Sequence, residues 1–292
     1  MRAPVRPIRG RWPGWLERRL SRFFWNDPRQ ILYSATDPDT FRQAMTALNV
    51  GETIKITGAN RHPDADSLLL DYLDPEKLRR ATIVDIGASD GSTSLDLIRR
   101  IEQFKAYVIA DLYLTLQVVQ VGRRAYFFQG DGICILVVGP RTVSWPTESS
   151  LLARLLGRWS RRAWEQVASR KTVLLLNPAV QDLIANDPRV SFRVHDVFEH
   201  WTGERPDIIK VANLLRRLYF DDARILVALR ALLSSLPDGG HLLIVDNPRR
   251  KNTPPRGGLY RRVGDRFRQV AQTEGTPEID DLVRAVSVQS AH

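Results

Sequence analysis

The sequence predicts an α/β fold in which a mostly parallel sheet is covered by helices on both faces. Short apolar strands alternate with helices that are apolar on one side, from residue 81 to residue 247. A glycine-rich turn at 87–91 follows the first strand, and a proline-glycine turn at 237–240 precedes the last. Parallel strands need crossover connections, usually helices, so this alternation favours one sheet buried on both faces.

Composition narrows the class of protein. The 292 residues, 43% of them hydrophobic and 26% charged, suit one large α/β domain or one domain with appendages. Cys134 is the only cysteine, so we expect neither an intrachain disulfide nor a cysteine-based metal site. Without a membrane-spanning apolar run or the apolar core of a secretory signal, we expect a cytoplasmic protein, soluble or peripheral to a membrane.

The formal net charge of +10 is concentrated in three segments. Residues 1–30 hold eight arginines against two acids, and residues 148–171 hold six cations against two acids. Residues 249–268 hold eight cations against one acid, so the rest of the chain is mildly acidic. Two interpretations stay open: a solvated, arginine-rich surface, or attraction to membrane headgroups, a polyanionic substrate or nucleic acid. The alternating apolar and basic residues 15–25 favour a short interfacial helix.

The elements divide the chain at residue 80. Residues 1–80 are predicted to be a basic arm and N-terminal helices, and residues 81–292 the α/β domain. An insertion at 112–171 separates the second core strand from the third, and its pattern predicts a hairpin at 118–138 followed by a helix at 148–169. The other predicted strands are 81–86, 106–110, 172–176, 191–197, 207–212, 241–246 and those of the 259–273 tail; the other helices are 36–48, 92–104, 179–185, 221–236 and 277–283.

The first strand leads directly into the turn that carries the strongest chemical signal. Ligands of such sheets bind at the carboxyl ends of the strands. Gly87 and Gly91 permit a sharp turn and close approach of the backbone to a ligand. The strand ends at Asp85, and Asp90 adds a second acid. Two acids are awkward for a pyrophosphate and suit a ligand that carries ammonium and sulfonium groups.

The segment DIGASDGSTS resembles the first motif of the class I S-adenosylmethionine-dependent methyltransferases. The resemblance implies a Rossmann-like fold, S-adenosylmethionine as cofactor, and a turn whose Gly87 and Gly91 border the methionine part. Ser89 and Asp90 of the same turn are further candidates to bind the cofactor. It also implies that Asp85 anchors the amino group, directly or through water. A glycine-rich loop alone is shared with dinucleotide-binding folds and with structural turns.

The ends of the later strands supply further candidates. Asp111 follows the second strand, 20 residues beyond Gly91, where an acid can accept both ribose hydroxyls; the resemblance implies the same role. An alternative register takes 172–176 as the second strand and puts Asn177 near the ribose. We prefer Asp111, because a carboxylate accepts two hydroxyls better than an amide and because its distance along the chain is the expected one.

Three further positions follow from the resemblance. It implies that Asp196 contacts the adenine amino group, with the backbone amide of Val197 beside it, and that Asn213 occupies the motif after the fourth strand. Alternation points His195 away from Asp196, so we predict a packing role for that histidine. The glycines of the 237–240 turn are predicted to be structural.

The acceptor of the methyl group is less defined. We expect a small-molecule, lipid or glycan acceptor, anionic or membrane-associated, because basic and aromatic residues share two of the three basic segments. The same composition suits a nucleic-acid methyltransferase, and a third alternative is a non-catalytic assembly protein with this fold. The pattern identifies no catalytic base and no oligomeric state. Candidates to line an acceptor pocket are Asp246, Asn247, His200 and Trp201.

Overall fold

A computed structural model describes residues 3–50, 53–54, 61–248 and 253–287. The chain divides into two compact units, each made of two separate stretches of sequence. The meander unit comprises Met1–Thr57 with Tyr113–Ala179, and the parallel unit comprises Gly58–Leu112 with Val180–His292. This division differs from the sequence-based boundary at residue 80. Within the described ranges, no helix is both long and apolar enough to cross a bilayer.

The regular elements have the following bounds. The strands are β1 (Val5–Pro7), β2 (Asn49–Val50), β3 (Thr53–Ile54), β4 (Thr82–Ile86), β5 (Ala106–Asp111), β6 (Thr115–Val121), β7 (Arg124–Phe128), β8 (Cys134–Val138), β9 (Thr142–Ser144), β10 (Arg170–Leu174), β11 (Val190–Val194), β12 (Ile208–Ala212), β13 (His241–Asp246), β14 (Arg256–Val263) and β15 (Arg266–Gln272). The α-helices are α1 (Gly14–Arg19), α2 (Pro38–Met45), α3 (Pro63–Tyr72), α4 (Pro75–Arg80), α5 (Ser92–Ile101), α6 (Ser150–Trp164), α7 (Pro178–Asn186), α8 (Asp222–Ser235) and α9 (Asp280–Ala285).

Three helices begin where an aspartate precedes them. The side chains of Asp37, Asp74 and Asp221 accept hydrogen bonds from backbone N–H groups in the first turns of α2, α4 and α8. Such caps satisfy donors that have no partner within the helix, and negative charge there suits the helix dipole. The residue directly before each of these helices therefore helps to determine where the helix begins.

The meander unit is built on an antiparallel six-stranded sheet in the order β1-β9-β8-β7-β6-β10. Successive side chains of its strands are buried on opposite faces, as period-two alternation requires. Val118 and Phe127 share one hydrophobic cluster with Phe41 of α2, whereas Val119 and Phe128 share another with α6. The sheet is thus covered on one face by N-terminal residues and on the other by α6.

The parallel unit contains a seven-stranded sheet in the order β11-β5-β4-β12-β13-β14-β15. Its first five strands are parallel, and the last two form an antiparallel hairpin at one edge. The chain moves from β4 toward β5 and β11 on one side, and later returns to add β12 and β13 on the other. The predicted Rossmann-like α/β fold is confirmed by this order.

The insertion between the second and third core strands differs from the predicted hairpin and helix. Residues 118–138 form parts of three strands rather than two, because the chain turns once at 122–123 and again at 129–132. A further strand, β9, follows at Thr142–Ser144, and the predicted helix is α6, which is shorter than predicted at both ends. β10 pairs with β6 and not with any strand of the seven-stranded sheet, so the alternative register for the second strand is wrong.

Candidate functional site

The candidate site lies at the carboxyl edge of the parallel strands, beside β4. β4 has β5 on one side and β12 on the other, and these neighbours are reached by chain segments that run in opposite directions across the sheet. Open α/β sheets bind ligands in the crevice outside such a switch point. The turns that follow β4, β5, β11, β12 and β13 meet there, and they carry most of the residues predicted from the sequence.

The glycine-rich turn is shaped by close packing. The N–H groups of Gly87 and Ala88 both donate to Ala110 O, at 2.8 and 3.1 Å, which ties the turn to the end of β5. Gly87 has a φ of +77°, and a Cβ there would lie 2.7 Å from Leu214 Cδ2. Gly91, with a φ of +76°, caps α5 and faces Val180, whose Cγ1 would lie 3.0 Å from an added Cβ. Both positions have a backbone conformation that favours glycine, and an added Cβ would crowd Leu214 or Val180.

Asp90 is engaged within the turn. Its side chain is completely buried and accepts hydrogen bonds from Ser92 N and Ser92 Oγ, both at 3.0 Å. This carboxylate therefore stabilises the start of α5. The electrostatic attraction between Asp90 and the half-buried guanidinium of Arg61 indicates that a cation also lies near the turn. Arg61 was not predicted from the sequence.

Asp85 lies in a buried polar cluster. It is 1% exposed and accepts hydrogen bonds from Ser94 Oγ at 2.8 Å and Tyr107 Oη at 3.2 Å. Lys210 is its neighbour across the β4–β12 pair, is completely buried, and forms a 2.8 Å ion pair with Asp66. Burial raises the pKa of the Asp85 and Asp66 carboxyls, and the charge of Lys210 opposes that rise. Asp85 is thus held inside the unit, and its contacts are with protein groups.

The sequence analysis missed Lys210. The signal was present: a lysine in the middle of an apolar strand that is buried on both faces must find a partner, because an unpaired charge there is very costly. Its partner Asp66 comes from α3, which is 144 residues away in sequence. No local pattern indicates that pairing.

Asp111 ends β5 and braces the turn. It is 8% exposed, and its Oδ2 accepts a 2.8 Å hydrogen bond from Ser89 N. Ser89 adopts a φ of +58°, which costs a residue with a side chain about 1–2 kcal/mol. Its Oγ is buried and has no hydrogen-bond partner among the described residues. A strained serine with an unpartnered hydroxyl is typical of a ligand-contacting turn.

The segment after β11 joins the same edge. His195 N donates to Asp111 O at 3.2 Å, which brings residues 195–197 beside the end of β5. Asp196 Oδ1 accepts from Phe198 N at 3.0 Å, and Val197 is 5% exposed within the hydrophobic core. The His195 ring packs edge-on against Trp201 at 4.9 Å, as its predicted packing role requires. Its Nε2 is buried without a partner in the described chain.

A cluster of neutral polar groups follows β12 and β13. Asn213, at a φ of +58°, accepts from Asn247 N through Oδ1 and donates from Nδ2 to Asn247 Oδ1, both at 2.6 Å. His62 Nε2 lies 2.7 Å from the same oxygen. Burial lowers the pKa of His62 to about 3, so its ring is neutral at neutral pH. Nε2 also lies 3.0 Å from the donor Asn213 Nδ2, so its two contacts are satisfied by different tautomers of the neutral ring.

His62 Nδ1 is buried and has no partner among the described residues. The sequence analysis missed His62 because its partners lie more than 150 residues away, and a histidine before a proline carries no local signal.

The other proposed pocket residues have structural partners. Asp246 accepts a 2.6 Å hydrogen bond from Glu278 N and lies 3.8 Å from Arg216, so it fastens the segment before α9. Trp201 is 7% exposed in the core, and its N–H donates to Ser235 Oγ. His200 is exposed. Of the four candidates for the acceptor side, only Asn247 belongs to the cluster with His62 and Asn213.

Comparisons with known proteins give likeness in fold and little in sequence. No family model matches the chain, and no curated protein matches it. Among solved structures, the N-methyltransferase NodS from Bradyrhizobium japonicum WM9 is 14% identical over 63% of this chain and 67% of its own, with a TM-score of 0.32. The pyocyanin biosynthetic protein PhzM is 15% identical over 65% and 38%, with a TM-score of 0.34.

An O-methyltransferase family protein from Burkholderia thailandensis is 16% identical over 74% of this chain and 43% of its own, with a TM-score of 0.31. The chain spans only 28% of the length of another match, the CMeT domain structure of citrinin polyketide synthase. At these identities and TM-scores the likeness identifies no function. The fold follows instead from the strand order of the parallel unit: this chain is a Rossmann-like α/β protein.

Proposed function

We propose that this protein is an S-adenosylmethionine-dependent methyltransferase. The observation that carries the proposal is the bond from Ser89 N to Asp111 Oδ2, which joins the glycine turn to an acid at the end of the second strand. An acid at that position can accept ribose hydroxyls, and the turn beside it leaves backbone and the Ser89 hydroxyl to meet the rest of a nucleoside. The motif resemblance of the same residues supports S-adenosylmethionine as that nucleoside.

The residues of the edge fit the groups of this cofactor. In the proposal, Gly87, Ser89 and Gly91 border the methionine part and Asp111 holds the ribose. Asp196 and the Val197 amide lie beside the adenine, with Asn213 across the crevice. Ser89 Oγ, buried and unpartnered in the described chain, is an open hydrogen-bonding group for the ligand. Arg61 near Asp90 supplies a cation suited to the ligand carboxylate.

Asp85 and Asp90 act indirectly in this proposal. Both carboxylates are buried and bonded to protein donors, Ser94 and Tyr107 for Asp85 and Ser92 for Asp90. In this proposal Asp85 supports the turn from the end of β4, and Asp90 supports it from the start of α5. Neither contacts the ammonium group directly. Their negative charge still favours a cationic ligand nearby, because charges in a poorly solvated region interact more strongly than in water.

The bound cofactor supplies an activated methyl group, so the protein has to align the acceptor and exclude water. His62, Asn213 and Asn247 form a neutral polar wall that suits this task. His62 Nδ1, which has no partner among the described residues, can form a hydrogen bond with an acceptor hydroxyl or amine and orient it. A ring whose pKa is about 3 is a weak base, so it favours orientation over proton removal.

Calorimetry with the purified full-length chain tests the cofactor. We expect S-adenosylmethionine to bind, and Asp111→Asn to weaken binding roughly 10- to 100-fold, since a hydrogen bond to a charged group contributes about 1.5–3 kcal/mol. The amide retains an acceptor for Ser89 N, so the turn should keep its shape. The matched control is Asp182→Asn on α7, an exposed acid, which should leave the affinity unchanged. A folded wild type that binds nothing, or an Asp111→Asn variant that binds as well, would sink the proposal.

The acceptor class needs a separate measurement. We propose a small-molecule, lipid or glycan acceptor. Transfer of labelled methyl groups to small-molecule, lipid, glycan and oligonucleotide fractions compares the classes directly. Label in the oligonucleotide fraction would favour a nucleic-acid methyltransferase instead. Cofactor binding with no transfer to any fraction would favour the non-catalytic alternative.

A further inference from the structure

Helix α6 of the meander unit presents an apolar row to solvent. Leu151, Leu155 and Trp159 are 65, 62 and 53% exposed. They are spaced four residues apart, so their side chains lie on the same face of the helix, one turn after another. Large apolar side chains that are scattered singly on a surface are ordinary, but an aligned row of three is a feature of interaction sites.

The opposite side of α6 is firmly packed. Ala163 and Ser160 are buried, and Leu156 and Trp164 pack against the strand cluster that contains Phe128. Trp164 and Phe128 have ring centroids 5.0 Å apart. The helix is therefore fixed by its inner face, and its outer row is a stable part of the surface.

The charges that α6 itself carries all have one sign. α6 carries Arg154, Arg158, Arg161 and Arg162 and no acidic residue. Helical geometry of 100° per residue puts the first three together on one flank of the row, while Arg162 lies within the row, 6.0 Å over the Trp159 ring. Within the described chain none of the four forms an ion pair.

We propose that α6 docks on an anionic lipid surface. Its apolar row would enter the boundary between headgroups and acyl chains, while the arginine flank would meet lipid phosphates and carboxylates, as in interfacial helices. Docking of α6 does not depend on the methyltransferase assignment.

Two other occupants fit the same surface less well. A second copy of α6 would bring two sets of arginines together without a compensating acid, and like charges repel. Nucleic acid would meet the arginine flank, but the two leucines could neither stack on bases nor pair with phosphates. Only a lipid surface offers negative charge and apolar depth together.

Flotation of the full-length chain with vesicles tests the proposal. We expect binding to vesicles of phosphatidylcholine with about one-third phosphatidylglycerol, weaker binding as salt rises, and little binding to phosphatidylcholine alone. Leu151→Ser with Leu155→Ser should lower the affinity at least about tenfold, because buried leucines contribute strongly. Arg154→Gln, Arg158→Gln and Arg161→Gln together should lower it about 100-fold, at about 1 kcal/mol per charge.

Matched variants separate docking from general effects. Val227→Ser removes an exposed apolar residue from helix α8 of the parallel unit, and Arg99→Gln, Arg205→Gln and Arg230→Gln remove three exposed cations elsewhere. Both controls should bind like the wild type. Because the substituted side chains are exposed, circular dichroism and thermal unfolding should confirm that all the variants fold.

Tryptophan fluorescence gives an independent measurement. We expect a blue shift on anionic vesicles that Trp159→Phe removes. A wild type that does not float with anionic vesicles, or leucine variants that float as well as the wild type, would overturn the proposal. Oligonucleotide binding that needs the α6 arginines but not the leucines, with no flotation, would assign the surface to nucleic acid.

Discussion

Gly87 shows how a single residue determines the packing of the turns that form the site. Its φ of +77° is accessible to other residues at moderate cost, but the space for a Cβ is taken by Leu214, which follows Asn213. The turn after β4 and the turn after β12 are thus in direct contact. The sequence analysis explained this glycine by close approach of the backbone to a ligand. The structure shows that it also allows two turns of the protein to pack closely together.

Gly87→Ala should therefore destabilise the fold by more than conformational strain alone. Strain at positive φ costs about 1–2 kcal/mol, and overpacking adds about 1–3 kcal/mol. Gly10→Ala is the matched control, since Gly10 has the same φ of +77° with no atom within 4 Å of the added Cβ. Denaturant unfolding measures both losses. Adding Leu214→Ala to Gly87→Ala should recover part of the difference, and equal losses at the two glycines would contradict this account.

The sequence predicted site residues that lie in one turn or directly after a strand. Asp111 and Asn213 belong to that group, because a strand that ends in a polar residue is a local pattern. His62 and Lys210 were not predicted, because the partners that define their roles lie on elements distant in the sequence. Asp85 was found, but its burial beside Lys210 was not, because that burial depends on Asp66 of α3. Its contact with the cofactor, directly or through water, stays a prediction.

Among the elements, α6 combines a well-packed inner face with one weak position. Gly157 lies in its interior, and a Cβ there would have no atom within 4 Å apart from the helix itself. Glycine inside a helix costs entropy without any conformational need at this position.

Gly157→Ala should raise the free energy of unfolding by about 0.5–1 kcal/mol, chiefly by restricting the unfolded chain. The contrasting substitution is Gly132→Ala, where φ is +85° and the Cβ would lie 2.9 Å from Trp164 Cε2. That variant should lose stability. Urea unfolding measures both changes, and a destabilised Gly157→Ala would mean that the surroundings of Gly157 are less open than described.

The core strands of the parallel unit were predicted closely, because each is a short apolar run beside an amphipathic helix. β11 was predicted to reach residue 197 but ends at Val194. The meander unit was predicted less well. VVQVGRRAYFF was interpreted as one strand, since its apolar residues continue on both sides of the Gly122 turn. The pairing of β10 with β6 joins residues more than 50 positions apart in the sequence. Hydrophobic periodicity within a segment does not indicate which distant strand it pairs with.

For the molecule as a whole, buried histidines link stability to pH. Burial lowers the pKa of His62 to about 3 and that of His241 to about 4, below the unfolded value of about 6.5. The unfolded chain therefore binds more protons than the folded protein below pH 6.5. The stability that these rings contribute is complete above that pH and falls as the pH drops toward their folded values.

Comparison with a variant that lacks only His62 isolates the contribution of that ring. Between pH 7 and pH 5, wild type should lose about 2 kcal/mol more unfolding free energy than His62→Gln, because carboxyl contributions common to both chains cancel. His200→Gln, which alters an exposed histidine, is the control and should follow wild type. Parallel curves for wild type and His62→Gln would show that His62 is protonated in the folded protein.

The pairing of β1 with β9 has a consequence for synthesis on the ribosome. Residues 8–50 share their core with residues 116–175, and β1 completes the edge of a sheet whose last strand ends at Leu174. Residues 8–50 must therefore wait, without most of their apolar partners, while residues 58–112 emerge. A pause or a chaperone acting on that interval would govern the yield of folded protein without altering any bond in the finished molecule.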